Sequence, residues 1–237
     1  MSFDTPSFWL FAAAVIALCA IIRNNTARIT ILIAASLVYY ASWDPWYLSL
    51  LAGFTLVSFW VGNSVHKGTR FPLMIAGVAI CTAWLAAAKI WVHPLPVGVS
   101  FYALQAIAYI VDCYRGDLPQ RANLLRYSLY MSFFPRLLAG PIARPGEFLP
   151  QAAARPRVTS TDVWEALVLI VFGLFKKLVI ADNLALVVDP VFADLHTSGA
   201  RILLATYAFA VQIYCDFAGY TDMALGIARL FGAMFCR

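Results

Sequence analysis

Polar and ionisable side chains are scarce in this chain, so those inside apolar runs are the first candidates for chemistry. The densest group is Gln212-Ile213-Tyr214-Cys215-Asp216-Phe217-Ala218-Gly219-Tyr220-Thr221-Asp222. On a helix, Gln212, Asp216 and Tyr220 stand at i, i+4 and i+8 and form one polar stripe facing the protein interior. Asp222, six residues past Asp216, points elsewhere. Such a stripe either lines a substrate cavity or ties helices together through hydrogen bonds. A second polar group starts in Leu95–Tyr102 and continues through Gln105 to Asp112, Tyr114 and Arg115. Ser100 has no histidine or lysine base near it in sequence, so it reads as helix-packing glue rather than a nucleophile. Lys176 and Lys177 read as side chains that snorkel to an interface or pair with Asp182, in preference to a catalytic role. His66, His93 and His196 all fall between apolar runs and lack a metal-binding spacing, so neither a metal site nor a general base is read from them. The five cysteines are scattered singly without a CxxC pair and read as buried apolar side chains.

The elements that must position these groups are apolar. Of 237 residues, 62% are hydrophobic and 12% charged, about half the roughly 25% usual in soluble domains. The mean hydropathy is +0.79. That composition cannot cover the surface of a soluble domain, and it excludes an ordinary globular enzyme, a disordered chain and a nucleic-acid reader. It predicts an all-α fold: a polytopic transmembrane helix bundle of roughly eight or nine spans. The apolar runs are Phe8–Ile22, Ile29–Ala41, Trp46–Val61, Pro72–Trp91, Val97–Val111, Tyr127–Ala143, Trp164–Ile180, Arg201–Cys215 and Phe217–Phe235. The net charge is +5, without a basic run long enough for a nucleic-acid patch. Arg23, Arg28, Lys67, Arg70, Arg115, Arg121 and Arg126 fall in alternate loops and Lys89 near an intervening one. The positive-inside rule therefore predicts an N-terminus outside and those basic loops in the cytoplasm.

The run 127–143 stands apart, because Pro135, Arg136, Gly140 and Pro141 interrupt it. Proline breaks helix continuity, and broken backbone at membrane depth is tolerated only inside protein or along a wet cavity. Two readings are open: a re-entrant or kinked segment in the bundle interior, or a short helix with an extramembrane loop. Arg144–Asp162 is the most polar stretch and reads as a plain loop. An internal repeat is not seen.

Four stretches carry a resemblance: Leu95–Asp117 (LPVGVSFYALQAIAYIVDCYRGD), Ser132–Gln151 (SFFPRLLAGPIARPGEFLPQ), Gly173–Phe192 (GLFKKLVIADNLALVVDPVF) and Gln212–Gly232 (QIYCDFAGYTDMALGIARLFG). In this order and spacing they resemble the membrane-bound O-acyltransferase family, in its bacterial alginate O-acetylase branch; Ser36–Leu51 fits as well. The resemblance covers essentially the whole chain as a single transmembrane domain, 1–237. It implies transfer of an acyl group, often acetyl, to a hydroxyl of an extracytoplasmic polysaccharide such as alginate or peptidoglycan. It implies a membrane-embedded funnel, which Gln105, Arg136, Asp216 and Tyr220 would line, with Gln212 and Asp222 as further polar residues. It also implies a place in the bacterial inner membrane, contact with membrane lipids, and partner acetylation proteins. The acyl donor, acetyl-coenzyme A or another acyl carrier, would be a substrate rather than a bound cofactor.

In the family a histidine acts as general base from a Trp-His-Gly-type motif downstream of the Asp-Phe-x-Gly-Tyr segment, here Asp216–Tyr220. No Trp-His-Gly occurs in these 237 residues. The resemblance therefore puts the catalytic histidine beyond Arg237 and assigns no catalytic residue within the chain. The apolar ending Ala233–Arg237 fits the same expectation: the N-terminal portion of such an enzyme, truncated at the C-terminus and inactive alone. Readings of another class are a transporter or flippase, for which intramembrane Asp216 and Asp222 would serve, and a non-catalytic membrane scaffold subunit.

Overall fold

A computed structural model describes residues 3, 5–65, 70–92, 96–118, 122–137, 140, 143–154, 157–194 and 198–232. All regular structure among them is helical. The three histidines, Pro141 and Cys236 lie outside the described residues, and with them the expectations placed on them. Arg237 lies outside them too, so the expected truncation there, with the family histidine beyond it, is not tested by the fold.

The first five helices follow the apolar runs closely: α1 (Pro6–Ile21), α2 (Asn25–Ala41), α3 (Trp46–Ser64), α4 (Phe71–Trp91) and α5 (Val99–Arg115). Local chemistry sets their starts. Pro6 occupies the first turn of α1, where its missing N–H costs nothing. The Asn24 side chain accepts from the Thr26 and Ala27 amides at the head of α2. α3, α4 and α5 pack mutually, and α2 bridges them to α1. Their shared interior is aromatic: Tyr39, Tyr40, Phe54, Tyr102 and Tyr109 are all buried.

The interrupted run folds as α6 (Leu124–Ser132), a break at Phe133, and α7 (Phe134–Leu137). Every residue from Leu129 to Leu137 is buried. The break reaches the middle of α2, where the Phe134 amide donates to Ser36 Oγ at 3.1 Å. The chain then returns. Gly146 lies against Asp117, beyond the end of α5, and Asn25, at the first turn of α2, donates to the Ala152 and Ala153 carbonyls. The chain thus leaves the end of α5, penetrates to Ser36 and comes back to the same end. The stretch expected to be a plain loop contains α8 (Pro145–Ala154), which buries Phe148 and Leu149 beside α6. Its polar residues masked a two-residue apolar anchor, enough to fix a short helix against a preformed core.

The last third departs further from the apolar runs. α9 (Ser160–Leu174) opens on a capping box between Thr159 and Asp162. It runs without a loop into a π-helical turn, Phe175–Ala181, and then into α10 (Asp182–Ala193). The run 201–215 and most of the run 217–235 form one helix, α11 (Gly199–Leu230), 32 residues long, or about 48 Å. The polar stretch between them needs no loop to reach water, because its charges are matched by α9 and the π turn. Among the described residues, two helices, α4 and α11, are long and apolar enough to cross a membrane; α1 is apolar but shorter. The four described cysteines are buried and free.

Candidate functional site

The break between α6 and α7 carries the first polar centre. Arg136 is 1% exposed. Its Nη2 donates to the Tyr130 carbonyl at 2.8 Å. Its guanidinium lies 4.5 Å from the Phe148 ring centre, 5.2 Å from Tyr130 and 5.9 Å from Phe133. A cation in a dry site needs such partners, and aromatic faces supply them without bringing a counter-charge. An arginine holds its proton under all ordinary conditions, so this group is a post for the turn and not an acid or base. The Tyr130 hydroxyl lies 3.2 Å from the Ala143 carbonyl and 3.4 Å from that of Gln105. Tyr130 therefore ties the returning arm of the excursion to α5. Gln105 itself is 2% exposed, and its Oε1 has no hydrogen-bond partner among the described residues.

The second centre is the seam between α9, the π turn and α11. The two helical stretches run antiparallel and touch backbone to backbone. A Cβ on Gly173 would sit 2.6 Å from the Gly219 carbonyl, and one on Gly226 would sit 2.7 Å from that of Ala166. Small residues allow this approach, as in membrane helix pairs. Ion pairs close the seam. Lys177 Nζ lies 2.7 Å from Asp216 and 2.8 Å from Asp182. Lys176 Nζ meets Asp222 at 2.5 Å, and Arg229 pairs with Glu165. Lys177 also stands 5.6 Å from the Tyr220 ring centre. The π turn is what lets two consecutive lysines serve acids six residues apart on one helix. Such turns carry one residue more than an α-helical turn and recur at functional positions. The Asn183 amide donates to the Leu178 and Val179 carbonyls that the wide turn loosens.

The two centres communicate through rings. Tyr220 meets Phe3, Phe3 meets Phe8, and Phe8 meets Phe134, beside Phe133 and the Arg136 box. The structure thus groups Gln105 with Arg136, and Asp216 and Tyr220 with the lysines. Within the stripe Gln212, Asp216, Tyr220, Asp216 pairs with Lys177, and Tyr220 lies against Lys177 and Phe3. Asp222 does leave that stripe, as expected, yet it joins the same seam through Lys176. Lys177 pairs with Asp182, as expected, and with Asp216 in addition. Sequence reading missed Ser36, the 2.7 Å contact between the Ser58 and Tyr127 hydroxyls, and the Glu165–Arg229 pair. None has a local signal, since the partners lie 98, 69 and 64 residues apart. Among the described residues, no three His, Cys, Asp or Glu side chains converge as a metal-ligand set.

No protein-family model matches the chain. Individual proteins do. A probable alginate O-acetylase AlgI from Pseudomonas putida is 34% identical over 235 residues, covering 88% of this chain and 48% of that protein. The chain is a homologue of the bacterial alginate O-acetylases. A peptidoglycan O-acetyltransferase from Helicobacter pylori is 32% identical, over 84% of this chain and 47% of its own length. More distant is a teichoic acid D-alanyltransferase from Bacillus subtilis, 26% identical over 66% of this chain and 45% of its own length. The chain spans about half the length of the curated relatives it matches. The resemblance read from its motifs is thus shown at the level of family, and the all-helical fold agrees with it.

Proposed function

We propose that this chain is the scaffold half of a membrane-embedded O-acyltransferase that moves an acyl group, most simply acetyl, onto hydroxyls of an extracytoplasmic polysaccharide. The observation that carries this reading is the 34% identity to an alginate O-acetylase across 88% of the chain. The names of the relatives share one chemistry, acyl attachment to a cell-envelope or exported polymer. In that chemistry the acceptor oxygen attacks the donor carbonyl and forms the new ester. Its proton passes to a base, and the donor's leaving group takes a proton in turn.

The geometry supports a division of labour. The excursion through α6 and α7 is a re-entrant segment, and Arg136 and Tyr130 hold its tip in place. Gln105 offers a dry carbonyl oxygen that an acceptor hydroxyl can satisfy. The Lys177–Asp216 seam keeps α11 locked beside the funnel, where Gln212, Tyr220 and Asp222 belong to its wall. The chain is a multi-pass protein of the bacterial inner membrane with its N-terminus outside. The acyl donor is acetyl-coenzyme A or another carrier, and partner acetylation proteins complete the system.

The test is acetyl transfer to alginate or peptidoglycan fragments in membranes containing residues 1–237. The expected result is no turnover. Robust turnover would show that a base resides among these residues, with His66, His93 and His196 the first to substitute.

A further inference from the structure

Two open cavities flank the helix seam, and their charges differ. One, of about 410 Å³, lies beside Phe172, Lys176, Asp222 and Arg229. Its lining includes the carboxylate of Asp222, which pairs with Lys176, and Arg229 pairs with Glu165. The other, of about 760 Å³, opens where the end of α1, the first turn of α2, the start of α9 and the end of α11 meet. Ile16, Cys19, Val163 and Phe231 give it apolar walls, and its charged lining groups are Arg28 and Arg157. No carboxylate stands among its described lining residues. The Arg28 Nη2 donates to the Phe231 carbonyl, which fixes the guanidinium against the end of α11. Arg157 is exposed on the segment leading into α9.

A cleft with hydrophobic walls and two guanidinium groups at its rim suits an amphiphile with an anionic head. Guanidinium matches a phosphate's oxygens in geometry as well as charge. The volume lies in the range of ligand cavities. The position also fits, because Arg28 stands in the first turn of α2, at the end of the helix that the charge asymmetry puts at the cytoplasmic face, where anionic lipids concentrate. A soluble phosphate would gain nothing from Ile16, Cys19 and Val163, whereas a lipid buries chain carbons there.

We propose that this cleft is a binding site for an anionic glycerophospholipid, with the headgroup phosphate held by Arg28 and Arg157 and the upper acyl chain laid along the wall formed by α1 and α9. The inference rests on the membrane reading of the chain and is independent of its acyl-transfer chemistry.

The experiment uses the full chain purified in a neutral maltoside detergent. Phosphatidylglycerol, phosphatidylcholine and glycerol 3-phosphate are titrated separately, with native mass spectrometry and thermal shift as readouts. Phosphatidylglycerol is expected to remain bound and to raise the melting temperature, and the other two are not. Arg28→Gln and Arg157→Gln should each weaken phosphatidylglycerol binding by about fivefold. Arg23→Gln removes the same charge outside the cleft and should leave binding unchanged. Arg28 also holds Phe231, so Arg157→Gln, on an exposed segment, tests the site without disturbing the helix packing. Equal loss with Arg23→Gln would replace the site by diffuse surface attraction. Equal binding of glycerol 3-phosphate would make it a phosphate site rather than a lipid site. Absence of phosphatidylglycerol binding in a chain that resists carbonate extraction from membranes overturns this proposal alone. Extraction by carbonate overturns the membrane reading beneath it.

Discussion

Arg136 and Gln105 sit a few side chains apart in the same dry interior, and their energetics run in opposite directions. The Arg136 guanidinium has three aromatic rings and a carbonyl as partners. Lysine keeps the charge but loses the flat face and the fork of donors. Arg136→Lys should therefore destabilise the protein by about 2–3 kcal/mol, read by SDS titration of the purified chain. Gln105 keeps a buried carbonyl oxygen without a hydrogen-bond partner among the described residues. Gln105→Met, of similar volume, should leave stability unchanged or raised, because a desolvated polar group is removed. A marked loss in the same titration would show that Gln105 is a structural tie and not a group kept free for a substrate. Both positions were read from motifs as funnel residues. The sequence could not separate a post from an open acceptor, since that depends on Tyr130, Phe148 and the return of the chain to α5.

At the scale of elements, the seam of α9, the π turn and α11 is governed by close approach. Gly173→Ala places a methyl against the Gly219 carbonyl, and backbone cannot swing aside as a side chain can. The helices must separate, at a cost of about 1–3 kcal/mol, seen as a lower melting temperature in detergent. The ion pairs on either side should couple across the same seam. A double-mutant cycle on Lys177→Met and Asp216→Asn should return an interaction energy of about 1 kcal/mol. A value near zero would mean that Asp182 alone satisfies the lysine. The elements themselves were largely legible: α1 to α5 match their apolar runs, and the prolines marked the broken segment. Two features were not. The polar group at 212–222 looks like a gap between two short helices until the lysines of another helix are brought to it. Equally, α8 hides in a polar stretch because its anchor, Phe148 with Leu149, is meaningful only against the Arg136 box.

For the molecule as a whole, the exposed surface of α9 to α11 is the informative feature. Trp164, Val171, Phe172, Leu186, Leu203, Leu204 and Tyr207 are all exposed. Apolar exposure of that extent has no place in water. The full chain should accordingly fractionate with membranes and resist carbonate extraction. Single cysteines placed at Thr5 and at Asn24, in a background lacking the native cysteines, should react with a membrane-impermeant maleimide from opposite sides, Thr5 from outside. Labelling of both from one side would remove α1 as a crossing helix and invert the reading of the basic loops.

The π turn bears on how this sequence can vary in length. A helix that loses one residue from Phe175–Ala181 can close the turn into ordinary α geometry, and α9 and α10 then keep their facing, because the residue lost is the extra one. Either Lys176 or Lys177 would face away from its acid, and Asn183 would leave the Leu178 and Val179 carbonyls. The π turn can thus absorb one lost codon at the expense of an ion pair, whereas a deletion within the regular turns of α9 or α10 rotates everything after it by about 100°. Deletion of Val179 should leave the protein accumulating in membranes, while deletion of Val168, inside α9, should abolish accumulation; comparing the two by immunoblot tests the point. Single-residue length differences among natural relatives are expected to fall at positions 175–181 in preference to the flanking helices for the same reason.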